Sequence, residues 1–187
     1  MFEVSALNGA VADGPTRVEE AGLQGMVTLK GDLGSAKMKA ALKAVGPGLP
    51  DRRQIVEKGD RAVAWMARDE VLILCPHAEA NAVVTELEAA LAGEHFLAVN
   101  VSDARAMLRV TGPGAREALA KLAPVDLHPE SFRAGEMRRT RLAQVPAAIW
   151  LSETDEISVI AFRSVAKYVF DILALSADDS GRVGYFG

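Results

Sequence analysis

The chain has 187 residues, half of them hydrophobic and a quarter charged, with a net charge of −4. That balance suits one compact, well-cored domain and lacks the basic footprint of a nucleic-acid binder. The apolar runs are strand length, not membrane length. The start, "MFEVSALNGAVADGP", has neither the basic nor the apolar region of a signal peptide, and the single Cys75 fits a reducing cytoplasm without an internal disulfide.

Residues 1–17 are unpatterned and contain Gly9, Gly14 and Pro15. They read as an irregular arm, disordered or laid on a neighbour. "GMVTLKGDLGSAKMKAALKAVG" predicts a strand closed by Gly31, a glycine turn and a helix. Met38, Ala41, Leu42 and Val45 recur there at i, i+3, i+4, i+7. "AVAWMARDEVLIL" (62–74) predicts two period-two strands around a turn carrying Asp69 and Glu70. "EANAVVTELEAALAG" predicts a second helix with a stripe of Val83, Leu87, Ala90 and Leu91, stopped by Gly93.

The same order then recurs. "AMLRVTGPGAREALAKL" predicts a strand closed by Gly112 and a helix with Ala115, Ala118, Leu119 and Leu122 on one face. "RLAQVPAAIWL" alternates, with Ala143, Val145, Ala147 and Ile149 pointing one way. Pro146 removes a ladder donor, which places its strand at an edge or at a bulge. "AAIWLSETDEISVI" (147–160) repeats the tryptophan and the Asp-Glu turn. "SVAKYVFDILALS" predicts a closing helix capped by Ser164, with Val165, Val169, Ile172 and Leu173 inward. Residues 178–187 leave the helical pattern as a tail ending in an exposed Tyr185-Phe186.

Trp65 and Trp150 are 85 positions apart, Glu70 and Glu156 86, and Gly31 and Gly112 81. The chain therefore reads as one duplicated α+β domain over 18–177, with halves of about 18–95 and 96–177 related by a pseudo-twofold. Antiparallel sheets are flanked by helices, and the two tryptophans are expected at matching points between sheet and helices.

Residue patterns that could carry chemistry are few. The pairs Asp69-Glu70 and Asp155-Glu156 sit in hairpin turns, where solvated carboxylates are the ordinary outcome. "GPGAREALAKL" opens a helix with glycines, but Glu117 stands where a dinucleotide fingerprint needs its third glycine; "GDLGSAK" fails the same test. His77, His95 and His128 lack zinc spacing with Cys75, and Cys75 closes the apolar run "VLILC", so it reads as an inert buried thiol. "RAGEMRRTR" sets Arg133, Arg138, Arg139 and Arg141 against Glu136 on an expected edge strand. With Tyr185 and Phe186 these arginines are the candidate partner contacts, since arginine and aromatic side chains are enriched in interface cores. No catalytic, cofactor-binding or metal-ligating residue is assigned.

A resemblance extends this. Asp126-Leu127-His128-Pro129, Phe132, Gly135, Arg139-Thr140, Arg163-Ser164, Ala166 and Tyr168, together with "WMARDEVLIL", resemble the gamma subunits of heterotetrameric sarcosine oxidases. The likeness spans roughly residues 20–175. That family is similar to the folate-binding domain of the glycine-cleavage T-protein, itself a duplication of strand-helix-strand units. The resemblance implies an accessory, non-catalytic gamma subunit in the cytoplasm, assembled with alpha, beta and delta subunits and chiefly with alpha. The implied complex demethylates sarcosine oxidatively to glycine, forming hydrogen peroxide and methylene-tetrahydrofolate. It also implies that FAD, FMN, NAD, tetrahydrofolate and zinc belong to the other subunits. The alternative is a free-standing folate-binding module of the T-protein type; such a module needs an apolar pterin slot and a convergent acid, and no such acid stands out in the sequence.

Overall fold

The computed structural model describes residues 3–186, so residues 1–2 of the expected arm and 187 of the expected tail lie outside the described residues. In chain order the strands and helices are β1 (Val11–Ala12), β2 (Arg17–Glu20), β3 (Gly25–Gly31), α1 (Ala36–Val45), β4 (Ile55–Lys58), β5 (Arg61–Ala67), β6 (Glu70–Cys75), α2 (Ala80–Ala90) and β7 (Phe96–Asn100). The second series is β8 (Arg105–Thr111), α3 (Ala115–Ala120), β9 (Met137–Leu142), β10 (Val145–Leu151), β11 (Ile157–Phe162) and α4 (Ala166–Ala177).

These elements form two compact units, residues 23–103 and residues 3–22 with 104–186. The first holds a five-stranded sheet in the order β4-β5-β6-β3-β7; the second holds a six-stranded sheet in the order β1-β2-β8-β11-β10-β9. Every pairing is antiparallel. The fold is α+β, as the alternation of periods two and 3.6 predicts.

The strands are shared out differently from the expected halves. β2 precedes β3 in the chain but hydrogen-bonds to β8, while β7 precedes β8 but hydrogen-bonds to β3. Each sheet therefore takes one strand from sequence assigned to the opposite half, and the units divide at 22/23 and 103/104 instead of 95/96. Pairing partners are a non-local property, invisible to a window of local periodicity.

In the first unit Met38, Ala41, Leu42 and Val45 are all buried, against Val27, Leu29, Val63, Val71 and Ile73. Ser35 caps α1, its hydroxyl accepting the Met38 N–H at 3.1 Å. α2 buries Ala80, Val83 and Leu87, with Leu91 beyond its end; Ala90, assigned to the stripe from sequence, is exposed.

In the second unit Leu108, Val110, Leu119, Leu127, Phe132, Ile149, Val159, Val169 and Leu173 build an equivalent core. α3 is a short six-residue helix, so Leu122 lies past its end, half-buried. α4 follows a single 3₁₀ turn at Arg163–Val165; Ser164 lies inside that turn and Val165 occupies the cap position without a side-chain bond, so Ser164 is not the cap. The α4 stripe is Ala166, Val169 and Leu173, with Val165 and Ile172 half-buried beside it.

The pairing registers correct the position of the tryptophans. Val63 pairs with Ile73, and Ile149 pairs with Val159; Ile73 and Val159 are 86 positions apart. The same offset carries Val71 onto Ile157, and the α2 stripe Ala80, Val83, Leu87 onto Ala166, Val169, Leu173. The tryptophans are 85 apart, one residue out of register. Trp65 pairs with Val71, which faces the helices, whereas Trp150 pairs with Ser158, on the face opposite Ile157 and Val159. A one-residue slip turns a side chain to the other face of a sheet. Trp65 is half-buried and Trp150 is 1% exposed, so the two rings occupy matching strands but opposite faces.

Two further expectations change. Ala143 stands in a two-residue turn joining β9 to β10, at φ +48°, so the alternation does not run through it. Pro146 lies on a strand flanked on both sides. The β11 ladder begins only at Ala147, paired with Ala161, so the proline sits just outside that ladder and costs it no rung.

Candidate interaction surface

The segment from Asp126 to Leu142, the terminal arms and the glycine turn before α3 hold most of the residues singled out from sequence. The glycine turn is explained by the arm. Gly112 has φ +99°, and a Cβ there would stand 2.1 Å from the Pro15 carbonyl oxygen; one on Gly114 would stand 2.4 Å from Thr16 Oγ1. The Gly114 N–H donates to Thr16 Oγ1 at 3.0 Å. These glycines admit the N-terminal arm, and the amide a phosphate would need is already engaged. In the first unit the Gly34 N–H donates to Asp32 Oδ1 at 2.9 Å, and "GDLGSAK" is a self-capped turn.

Both arms are fastened by buried glutamates. Glu20, 8% exposed, accepts the Ser5 hydroxyl at 2.6 Å and the Leu7 and Gly9 N–H groups at 2.8 and 2.7 Å. Glu117, 7% exposed, accepts the N–H groups of Val183, Gly184 and Tyr185 at 2.5, 2.8 and 3.3 Å. The Val183 N–H above all, then those of Gly184, Lys121 and Tyr185, hold the Glu117 carboxyl at about 2, against the opposing effect of desolvation. Lys121 spans the same place, 3.3 Å from Glu117 and 2.8 Å from the Gly181 carbonyl. The arm and the tail thus lie on their own unit. Tyr185 is 76% exposed, but Phe186 is partly buried on the core, with its ring 4.9 Å from Tyr185 and 6.4 Å from His128.

The residues Asp126–Phe132 fold into a pinned loop. Asp126 accepts the His128 N–H at 2.9 Å, and the Ser131 hydroxyl together with that amide draws its carboxyl below the usual range. The Arg116 guanidinium, from α3, donates to the Leu127 and Phe132 carbonyls at 2.9 Å each. Phe132 is wholly buried, and Arg138 stands over its ring at 5.6 Å while donating to the Ser131 carbonyl at 3.1 Å. Gly135, at φ +77°, donates its N–H to the Leu151 carbonyl at 2.9 Å and starts β9.

β9 is an edge strand, as expected, but its pleat divides the arginines. Arg138 pairs with Ile149 and lies on the helix side; Arg139 and Arg141 pair with Ala148 and Pro146 and lie on the opposite face, both exposed. Arg133 sits in the preceding turn, its N–H on Glu136 at 2.9 Å. The expected single strip is therefore two surfaces: Arg138 with Phe132 on the helix side, and Arg139 with Arg141 on the other face of the edge.

The remaining chemical candidates are dispersed. Asp69 and Asp155 are exposed in turns, and the repeat-related Glu70 and Glu156 form the ion pairs Lys30–Glu70 at 3.7 Å and Arg109–Glu156 at 3.3 Å. Cys75 is buried, and burial raises its thiol pKa, the reverse of what a nucleophile needs. His95 and His128 are exposed and His77 is half-buried, and among the described residues no group of three or more His, Cys, Asp or Glu could hold a metal. No helix among the described residues is long and apolar enough to cross a membrane.

The α+β fold is shared with the glycine cleavage system aminomethyltransferase T from Bartonella henselae, which superposes with a TM-score of 0.62 at 17% identity, over 87% of this chain and 49% of that one. The heterotetrameric sarcosine oxidase from Corynebacterium sp. U-96, in complex with pyrrole 2-carboxylate, contains a chain that superposes with a TM-score of 0.82 at 24% identity, over 92% of this chain and 90% of that one. The profile of the "Sarcosine oxidase, gamma subunit family" matches residues 30–179, and this chain belongs to that family. It is 33% identical over 139 residues to the sarcosine oxidase subunit gamma of Corynebacterium sp. (strain P-1), covering 73% of this chain and 68% of the relative. To the Arthrobacter sp. subunit gamma it is 37% identical over 121 residues, and the match spans 58% of that relative's length.

Proposed function

We propose that this chain is the accessory gamma subunit of a heterotetrameric sarcosine oxidase, assembled in the cytoplasm with alpha, beta and delta subunits and chiefly with alpha. The observation that carries the reading is the family match over residues 30–179, joined to superposition along nine-tenths of a chain of the Corynebacterium complex. In this reading the complex converts sarcosine to glycine with formation of hydrogen peroxide and methylene-tetrahydrofolate, and FAD, FMN, NAD, tetrahydrofolate and zinc reside on the other subunits. The role of this chain is then to present a surface. Arg133, Arg138, Arg139, Arg141, Tyr185 and Phe186 are its proposed contacts, with Phe186 acting chiefly by seating Tyr185. A permanent subunit contact buries on the order of 2,000 Å² or more.

The test is co-expression with the three other subunits from the same source, followed by purification through a tag on alpha. Stoichiometric retention of this chain supports the reading. A chain that fails to co-purify but binds tetrahydrofolate by itself would instead be a free-standing folate module.

A further inference from the structure

Asn8-Gly9 is the sole Asn-Gly pair in the chain; Asn81 and Asn100 are followed by Ala82 and Val101. The pair occupies the middle of a tight turn, closed by the Ala10 N–H on the Leu7 carbonyl at 3.2 Å, with Asn8 at φ +54° and Gly9 at φ +74°. Two successive positive φ values are what a type I′ turn needs, and Asn-Gly meets them with little strain. Both residues are exposed, and a Cβ on Gly9 would meet nothing within 4 Å.

An asparagine followed by glycine holds both an electrophile and a nucleophile. The glycine nitrogen, once it has lost its proton, attacks the asparagine Cγ. A new C–N bond forms, the Cγ–Nδ2 bond breaks and ammonia leaves. The cyclic imide then takes up one water from solvent. Cutting the Cγ bond to nitrogen yields aspartate, and cutting the backbone carbonyl bond to nitrogen yields isoaspartate; nothing is oxidised or reduced. Glycine lacks the Cβ that crowds this attack at Asn81 and Asn100.

In the folded arm the nitrogen is engaged. The Gly9 N–H donates to one oxygen of Glu20 at 2.7 Å, and the Leu7 N–H donates to the other at 2.8 Å. A charge-assisted bond holds the proton that the reaction must remove, and it sets an anion beside the nitrogen that must itself become negative. The same two bonds make the clasp sensitive to the product. Isoaspartate routes the chain through Cγ and adds one backbone atom between Leu7 and Gly9. Their amides then no longer match the two oxygens of a single carboxylate that is 8% exposed, and a buried acceptor loses a donor.

We propose that Asn8 is a deamidation site that the Glu20 clasp holds in check, and that its conversion to isoaspartate unfastens the N-terminal arm. The reaction needs only water, and the proposal stands apart from the subunit reading.

The experiment holds the full chain at mildly alkaline pH, native and in guanidinium chloride, and maps peptides by mass spectrometry with fragmentation that separates aspartate from isoaspartate. Conversion at position 8 is expected to be slower in the native chain by about tenfold or more, because reaction follows the open fraction of the arm. E20Q, and E20D whose shorter side chain cannot reach both amides, should lose most of that protection. In the isoaspartate fraction, isolated by anion exchange, amide exchange over residues 5–9 should rise by about tenfold or more while β8 keeps its wild-type rate. Equal conversion of position 8 in native and denatured chain overturns the guarding role, as does wild-type conversion in whichever Glu20 variant is folded. No conversion at position 8 in the denatured chain removes the site altogether. Unchanged arm exchange in the isoaspartate fraction overturns the unfastening.

Discussion

Glu117 and Val183 are 66 positions apart in sequence, and the Val183 N–H donates to the Glu117 carboxylate at 2.5 Å. With Gly184 and Tyr185 donating to the same group, three successive amides close on one buried anion. This clasp makes the C-terminal tail part of the second unit and places Tyr185 at its surface.

The clasp depends on ionised Glu117. Its carboxyl is lowered from 4.5 to about 2 in the folded chain, so its stabilisation is complete above about pH 4.5 and is lost as pH falls through about 2. E117Q is expected to free the tail at neutral pH, with amide exchange at Val183–Tyr185 faster by about tenfold or more. The difference between wild type and E117Q should shrink as pH falls through about 2. Equal tail exchange in both proteins at pH 7 contradicts the clasp.

Trp65 and Trp150 should report their opposite faces. Trp150, 1% exposed, gives a blue emission shielded from acrylamide, and W150A destabilises the chain by about 3–5 kcal/mol. Half-buried Trp65 is quenched more readily, and W65F costs less than about 1.5 kcal/mol. Single-tryptophan variants separate the two signals; equal quenching would mean the hairpins share a register.

Gly112 is held by both its conformation and its neighbours. G112A must accommodate φ +99° and a Cβ 2.1 Å from the Pro15 carbonyl oxygen, so the arm has to move. The expected loss is about 1–3 kcal/mol from backbone strain, with the clash added. Gly59, at φ +63° with nothing within 4 Å of its Cβ, is the control, and G59A should cost about 1–2 kcal/mol. Chemical denaturation of both variants decides the comparison.

Arg116 should govern the loop rather than any reaction. R116A removes two charge-assisted bonds to the Leu127 and Phe132 carbonyls, expected to destabilise by about 1.5–3 kcal/mol and to open residues 127–132 to limited proteolysis. A loop as protease-resistant as wild type would show that Phe132 packing alone holds it.

The family-resembling string owes its pattern largely to this loop. Asp126, His128, Phe132 and Gly135 each make a loop contact or occupy the core, and Arg163 donates to the Val4 carbonyl at 2.8 Å, tying down the arm. These residues shape the loop and fasten the arm.

The periodic parts were legible from the residues alone. The α1 stripe, the strand closed by Gly31, the two Asp-Glu turns and the recurrence of one order of elements all follow from spacings within a few residues, because a helix or strand shows its buried face at a fixed period. The edge expected for the Pro146 strand belongs instead to its neighbour β9, because β10 is paired on both sides. Strand pairing became visible only in the folded chain. Exchange of β2 and β7 between the sheets, the single-residue difference that sets Trp150 opposite to Trp65, and the split of Arg138 from Arg139 and Arg141 are matters of register, which for the exchanged strands depends on partners 65 to 94 positions away. The arms were illegible for the same reason. Their order comes from Glu20 and Glu117, charged residues whose burial is stable only because distant backbone amides surround them.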